Sequence, residues 1–534
     1  MHIARKAVLG LDPGSLAGPR GVGFVTAGAD QRLRHADQLA HRSPPLRVGA
    51  VLPLARAQVA TVRDATGRAR ELGAIAASTG ADLQRQVDVG TGGSANRLAL
   101  VEVLASSTDR AAKQSEALGP LRGRRFIHPA LGLARSVVVD EQEDATVRLR
   151  DASLQADALR GLLRGPRRIL VLAGNNAEML SGGGLVGSVA VAEVQDGAVR
   201  LGPFAQSSDL VLVKQGSVPL TDVQRDLHAT MGFGYDFRGV TAASDFQQAG
   251  PVAAAMAERI GLGKVDGVVF LDVLGLQQLV AVTGPVQIGD LTINEVNAAD
   301  ELLYRNYLRF GEATDRTQRA ELQGQLGQSV FTALEQRPAD LGRLFGTLRY
   351  IVGGRHLMGW SSVPGEQLLW ERAGAAGQLD TEGLQVSLVN RSGNKLDYHL
   401  KPQVVVRSRR APGDERRVRL EITTANLPRS PTSVAVEGNS PAQHYNDLVA
   451  YLPQNAADVW TDGRPFSRGG EEGGMRVLVA PLYLDIGATV TVAIEFTIPK
   501  GQAIHLIPSA RALPISFTVG GRVVTDDLPV DLPL

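Results

Sequence analysis

Cysteine is absent from this sequence. That excludes thiol catalysis, disulfide stapling and thiolate metal sites. Aromatic residues make up only 4% of the chain, which argues against base-stacking surfaces and aromatic sugar platforms. Lysine is scarcer still, with seven among 56 basic residues. The arginine, alanine, glycine and valine bias has the imprint of a GC-rich genome, so a single arginine carries little functional weight. Basic and acidic residues almost cancel, leaving a formal charge of +1. No whole-protein field is available to recruit nucleic acid or an anionic membrane, and no nucleic-acid partner is expected. No apolar run reaches the roughly 18 residues that span a bilayer as a helix. The chain as it stands is therefore expected to be soluble, with no signal or anchor visible.

The 534 residues divide by texture into three or so regions. Residues 1–30 are glycine-rich, hold the turn signal Asp12-Pro13-Gly14, and read as irregular. Residues 31–166 are rich in Ala, Arg, Leu and Gln, with breaks at Ser43-Pro44-Pro45, Gly90–Gly93 and Gly119-Pro120. Val59 and Val62 are three apart, as are Leu72 and Ile75, and Leu98, Val101 and Leu104 recur every three. This pattern predicts an α-helical bundle.

Residues 167–355 read as α/β. Ile169–Ala173 is a short apolar run suited to a buried strand, ending in a glycine-rich loop. Further strands are expected at Gly187–Val194, Ala198–Leu201, Asp209–Lys214 and Val265–Asp272. Helices are expected at Gln248–Ile260, Leu274–Val282 and from Asn294 through Tyr350. Residues 380–534 alternate apolar and polar positions, most clearly over Ala488–Ile498, and predict a β-sandwich.

Two constellations are candidate sites. Asn175, Asn176, Glu178, Gly182, Gly183 and Gly184 form the densest polar stretch, where a buried strand is expected to end. Its glycines allow main-chain N–H groups to cradle an oxyanion, although a tight structural connection fits equally well. The formal GxGxxG match at 182–187 fails on context, because a strand rather than a helix is expected after it. The second constellation is Arg305 and Arg309, four apart, with Arg316 and Arg319, three apart. Such guanidiniums can grip a phosphate or pyrophosphate, or form a solvated helix face. Asp209 is a candidate catalytic carboxylate, and Asp209 and Asp245 are candidate Mg²⁺ ligands. The nine histidines show no metal-ligand spacing.

Four ordered blocks carry a resemblance: ILVLAGNNAEMLSGGGLVGSVAVAEVQDG, GYDFRGVTAASDF, VDGVVFLDVLGLQQLVAVTGP and ELLYRNYLRF. They resemble an actinobacterial cell-envelope family catalogued as a domain of unknown function. That family typically carries an N-terminal membrane anchor, so the resemblance implies an extracytoplasmic location. The same blocks are more distantly similar to the LytR-CpsA-Psr phosphotransferases. These move glycopolymers from a polyprenyl-diphosphate carrier to the cell wall, using Mg²⁺, aspartates and an arginine cluster. On that likeness Arg309, Arg316 and Arg319 carry over, but Asn175 and Asn176 stand where the acidic turn residue would be. The expected architecture is an N-terminal α-helical bundle, a central LytR-CpsA-Psr-like α/β domain and a C-terminal β-sandwich. The expected function is a binding or assembly protein of the envelope, with other envelope proteins among its partners. The alternative is a Mg²⁺-dependent transferase acting on a polyprenyl-phosphate lipid or cell-wall glycopolymer.

Overall fold

The computed structural model describes residues 21–53, 55–89, 92–121, 127–212, 216–311, 315–337, 341–427, 436, 443–462 and 465–532. Residues cluster into two compact units. One comprises the chain up to Gly165 with 195–198 and 335–346; the other comprises 166–194, 199–334 and 347–534.

The first unit is helical. Its helices are α1 (Gly21–Arg42), α2 (Pro44–Val51), α3 (Arg56–Val89), α4 (Ser94–Ala117) and α5 (Pro129–Arg164). The proline pair at 44–45 begins α2, where the missing N–H groups are no loss. Gly119, with φ +61°, follows the end of α4. Residues 21–30 are helical, which corrects the irregular N-terminus expected there; residues 1–20 of that expectation lie outside the described residues. The core is built from small side chains, among them Ala40, Val59, Ile75, Val101, Ala105, Ala111, Ala145 and Ala156. Glycine allows α1 and α3 to approach closely: a Cβ on Gly80 would lie 2.4 Å from the Thr26 hydroxyl. No described helix is long and apolar enough to cross a membrane.

In the second unit, a mixed sheet has the order β3-β2-β1-β5-β8. Its strands are β1 (Arg167–Leu180), β2 (Gly183–Gln195), β3 (Ala198–Leu201), β4 (Ala205–Gln206, on β2), β5 (Gly267–Asp272) and β8 (Leu357–Ser361). β5 runs parallel to β1, pairing Ile169 with Gly267 through Gly174 with Asp272. The helices α6 (Asp222–His228), α7 (Phe246–Arg259) and α8 (Val273–Thr283) follow the capping residues Thr221, Asp245 and Asp272. A small hairpin, β6 (Val286–Ile288) and β7 (Leu291–Ile293), follows α8. A helical stretch then runs from Ala298 to Arg309, with a π-helical turn at Glu301–Arg305, before α9 (Arg316–Gln336) and α10 (Leu341–Gly353).

One apolar core of this sheet gathers Leu170, Leu172, Phe237, Phe246, Met256 and Phe270. A second gathers Ala177, Val280, Ile293, Leu302, Tyr307 and Leu326. The strand expected over Asp209–Lys214 is not formed. Ser207–Asp209 is a 3-10 turn and Val211 makes an isolated bridge to Asp236, while residues 213–214 lie outside the described residues.

After α11 (Pro364–Arg372), the C-terminal region is β-rich, in two six-stranded sheets. The first has the order β13-β16-β11-β10-β18-β19, from Ala457–Thr461, Thr489–Pro499, Glu415–Asn426, Leu400–Ala411, Ser516–Val519 and Arg522–Thr525. The second has the order β14-β15-β12-β9-β17-β20, from Arg468–Glu472, Met475–Asp485, Gln443–Leu452, Gly383–Asn390, His505–Leu506 and Val530–Asp531. They share a core to which β9, β12, β10, β11 and β16 all contribute. The other face of the second sheet packs on the α/β region, where Leu180, Leu227 and Ala242 meet Val449, Tyr451, Val477 and Val479.

Candidate functional site

The polar stretch at 175–184 is strand rather than loop. β1 continues to Leu180, and Ser181-Gly182 form a two-residue turn into β2. Register shifts fall between Ala173 and Gly174 and between Asn175 and Met179. These bulges turn polar side chains inward, where each finds a partner.

The Asn175 amide donates to the Tyr307 hydroxyl at 2.6 Å, and its oxygen accepts from Ala177 N at 3.1 Å. Burial pushes the Tyr307 hydroxyl pKa up. Asn176 donates to Asp272 Oδ2 at 2.7 Å and to the Ala510 carbonyl at 2.9 Å, and accepts from Val273 N at 3.2 Å. Asp272 is 1% exposed and also contacts His356 Nδ1 at 2.8 Å, while its Oδ1 caps α8 at Gly275 N. Glu178 pairs with Lys395. Burial pushes the Lys395 ammonium down to about 8 against the opposing pull of Asp397.

The glycines here serve packing. Gly182 N–H donates to the Thr241 carbonyl at 2.8 Å, so it is not presented to a ligand. A Cβ on Gly182 would sit 2.4 Å from the Ala243 carbonyl oxygen, and one on Gly184 would sit 2.5 Å from the Asn175 backbone. Gly183 takes φ +145°. Because the obstruction at Gly182 is main chain, Gly182→Ala is expected to cost about 1–3 kcal/mol, read as a lower urea midpoint with an unchanged slope.

The four arginines separate into different environments. Exposed Arg305 pairs with Asp300 at 2.8 Å and Glu301 at 3.6 Å. Arg309 also reaches Glu301, at 3.0 Å. Arg319 donates to the Phe310 carbonyl at 2.6 Å and lies 5.8 Å from the Tyr307 ring centroid; burial lowers its pKa. Arg316 is exposed and lines a groove of about 510 Å³. Asp209, at the end of its 3-10 turn, lines the same groove with Phe204, Gln206, Glu321 and Gln325. Behind it, sharing Phe204 and Gly324, is a small cavity of about 70 Å³ lined by Val171, Leu271, Leu276 and Leu302.

Asp245 lies elsewhere. It caps α7, accepts from Gln247 N at 2.9 Å, and its own N–H donates to Glu472 at 2.6 Å. Burial raises its pKa to about 6; Glu472 adds to the rise, while the Gln247 hydrogen bond and Arg355 oppose it. Asp209 and Asp245 thus do not form a pair at the groove. Among the described residues no group of three or more His, Asp or Glu is placed to hold a metal ion.

Residues 164–307 match the family model described as "Protein of unknown function (DUF4012)". The DUF4012 match covers the 175–184 hairpin, Asp209, Asp245 and Arg305. It ends before Arg309, Arg316 and Arg319. No curated protein matches the chain, and no solved structure does. The residues that hold the hairpin from outside its own region were missed in the sequence: Lys395, Asp397, Arg511 and His356. They lie some 80 to 220 residues from their partners, and no local spacing signals such pairs.

Proposed function

We propose that this chain is a binding or assembly protein of the cell envelope, extracytoplasmic, and that its groove takes a segment of a cell-wall glycopolymer. The observation that carries this reading is the fate of the polar groups. Asn175, Asn176 and Glu178 are spent on internal partners, as are the guanidiniums of Arg305, Arg309 and Arg319. Asp209 and Arg316 remain at the open groove, beside Gln206, Gln325, Gln328 and Thr317. Amide, hydroxyl and charged groups of both signs match vicinal sugar hydroxyls, and Phe204 offers an apolar wall. The inner cavity of about 70 Å³ has room for no more than a few water-sized groups. A polyprenyl tail is far larger. The alternative, a LytR-CpsA-Psr-like Mg²⁺-dependent phosphotransferase, draws its support from Asp209 and Arg316 lining one groove.

The test is a paired titration of the purified chain. Soluble wall-glycan fragments are expected to bind, with affinity lost roughly tenfold or more in Arg316→Ala and Asp209→Ala. A polyprenyl-diphosphate analogue with Mg²⁺ is expected to give no phosphate release. Mg²⁺-dependent release abolished by the same two substitutions would establish the transferase instead. Absence of any glycan binding would overturn the binding reading.

A further inference from the structure

The core-facing rows of three sandwich strands turn polar at the same end. On β11 the row Val418, Leu420, Ile422 continues as Thr424 and Asn426. On β12 the row Leu452, Ala450, Leu448 continues as Asn446 and His444. On β9 the row Leu384, Val386, Leu388 ends in Asn390. Strand alternation places each of these residues on the same face as the apolar ones before it. The registers bring them together: Asn446 is paired with Asn390, and the Asn426 amide donates at 3.2 Å to the carbonyl of Leu484, the residue opposite His444. Asp397 closes the group, accepting from Asn390 at 2.6 Å and lying 3.6 Å from His444 Nε2. Arg511 donates to the Asp397 carbonyl at 2.8 Å.

All of these side chains are buried, and His444, Asn426 and Asn446 are 0% exposed. Yet seven of their nitrogen and oxygen atoms have no hydrogen-bond partner among the described residues: Thr424 Oγ1, Asn426 Oδ1, both ring nitrogens of His444, both amide atoms of Asn446, and Arg511 Nε. Other such atoms among the described residues are scattered, for instance Asp30 Oδ1, Thr461 Oγ1 and Gln502 Nε2, whereas these seven lie together. Such a concentration at one place points to a species that the protein binds there.

We propose that this end of the sandwich is an internal hydration site, holding a cluster of ordered waters that bridges the two sheets. The chemistry selects water. Asn446 needs both a donor and an acceptor, Asn426 needs a donor, and Arg511 needs an acceptor, so the bound species must do both. Arg511 next to Asp397 disfavours a cation, and Asp397 disfavours an anion. A buried water makes about three hydrogen bonds, so seven atoms call for roughly two or three waters. The cluster would also stiffen the joint to the α/β region, because Asp397 accepts the Met179 N–H from the 175–184 hairpin at 3.1 Å.

A high-resolution crystal structure of the full chain, with water magnetic relaxation dispersion in solution, tests this. Ordered water density contacting Asn446, Asn426 and His444, with long-lived internal waters in the relaxation profile, is the expected result. Asn446→Leu keeps the branched side-chain shape while removing both amide atoms. It should lower Tm by several degrees and reduce the long-lived water count. A dry site with a raised Tm in Asn446→Leu overturns the proposal, as does density for an ion or organic molecule. If the variant does not fold, density and relaxation of the unsubstituted chain decide alone.

Discussion

Introducing a carboxylate in the hairpin, by Asn176→Asp, is expected to destabilise the protein by about 3 kcal/mol or more near pH 7. The reason lies in what Asn176 donates. Its amide nitrogen faces two acceptors, Asp272 Oδ2 and the Ala510 carbonyl. A carboxylate has no proton for either and adds a second negative charge beside buried Asp272. Protonation returns one donor, so the introduced group would have its pKa raised above the ordinary value near 4. By linkage the native state is then relatively favoured below about pH 4, and the penalty grows as pH rises through the shifted value. Thermal melts from roughly pH 4 to 8 should show the deficit shrinking at the acid end. Millimolar Mg²⁺ should not restore stability. Full rescue by Mg²⁺ would mean that the hairpin is a latent metal site, and the structural reading of Asn176 would be wrong.

This result bears on how the region differs from a phosphotransferase centre. Asn175 and Asn176 lie on strand β1 and not in a turn, which comes only at Ser181-Gly182. β1 runs seven residues beyond Ala173, and the glycines that follow are fitted to the Ala243 and Asn175 backbones. What the sequence displayed well was periodicity. The helices flanking Ser43-Pro44-Pro45 and Gly119-Pro120, the buried strand ending at Asp272, its following helix and the hairpin around Ala411–Asp414 all follow from local pattern. What it hid was pairing across distance. Bulges let a polar, glycine-containing segment stay in a sheet, and nothing in 175–184 alone announces that Tyr307, Lys395 or Ala510 will satisfy it. Arg305 to Arg319 show the same limit. Their spacing was plain, but whether a guanidinium meets Glu301, a carbonyl or an open groove depends on elements folded elsewhere.

Arg355→Met is expected to cost about 3–5 kcal/mol at neutral pH, and markedly less at pH 5. Arg355 is 6% exposed and holds φ +61° between α10 and β8. Its guanidinium donates to the carbonyls of Ser244 and Gly377. It is the cation for a buried acidic pair, Asp245 and Glu472, and burial of the guanidinium is opposed by their charges. Glu472 also contacts His228 Nε2 at 2.8 Å and accepts from the Tyr451 hydroxyl at 3.2 Å. Methionine keeps much of the stem's packing, so the loss measured is mainly that of charge and hydrogen bonds. The pH dependence follows from Asp245. Its folded pKa of about 6 lies above the ordinary 3.8, so its contribution is fully present below about 4 and is lost as pH rises through 6. Removing the guanidinium pushes that pKa higher still, so the variant pays for ionising Asp245 at neutral pH but not while the group stays protonated. Urea denaturation at pH 5 and pH 7.5 should therefore give a smaller gap between variant and parent at the lower pH. Adding Asp245→Asn to both chains keeps a good helix cap and removes the titrating carboxyl, so the gap should lose most of its pH dependence. An equal gap at both pH values in the single variant would show that Arg355 acts through packing and carbonyl contacts alone, with no charge coupling to Asp245.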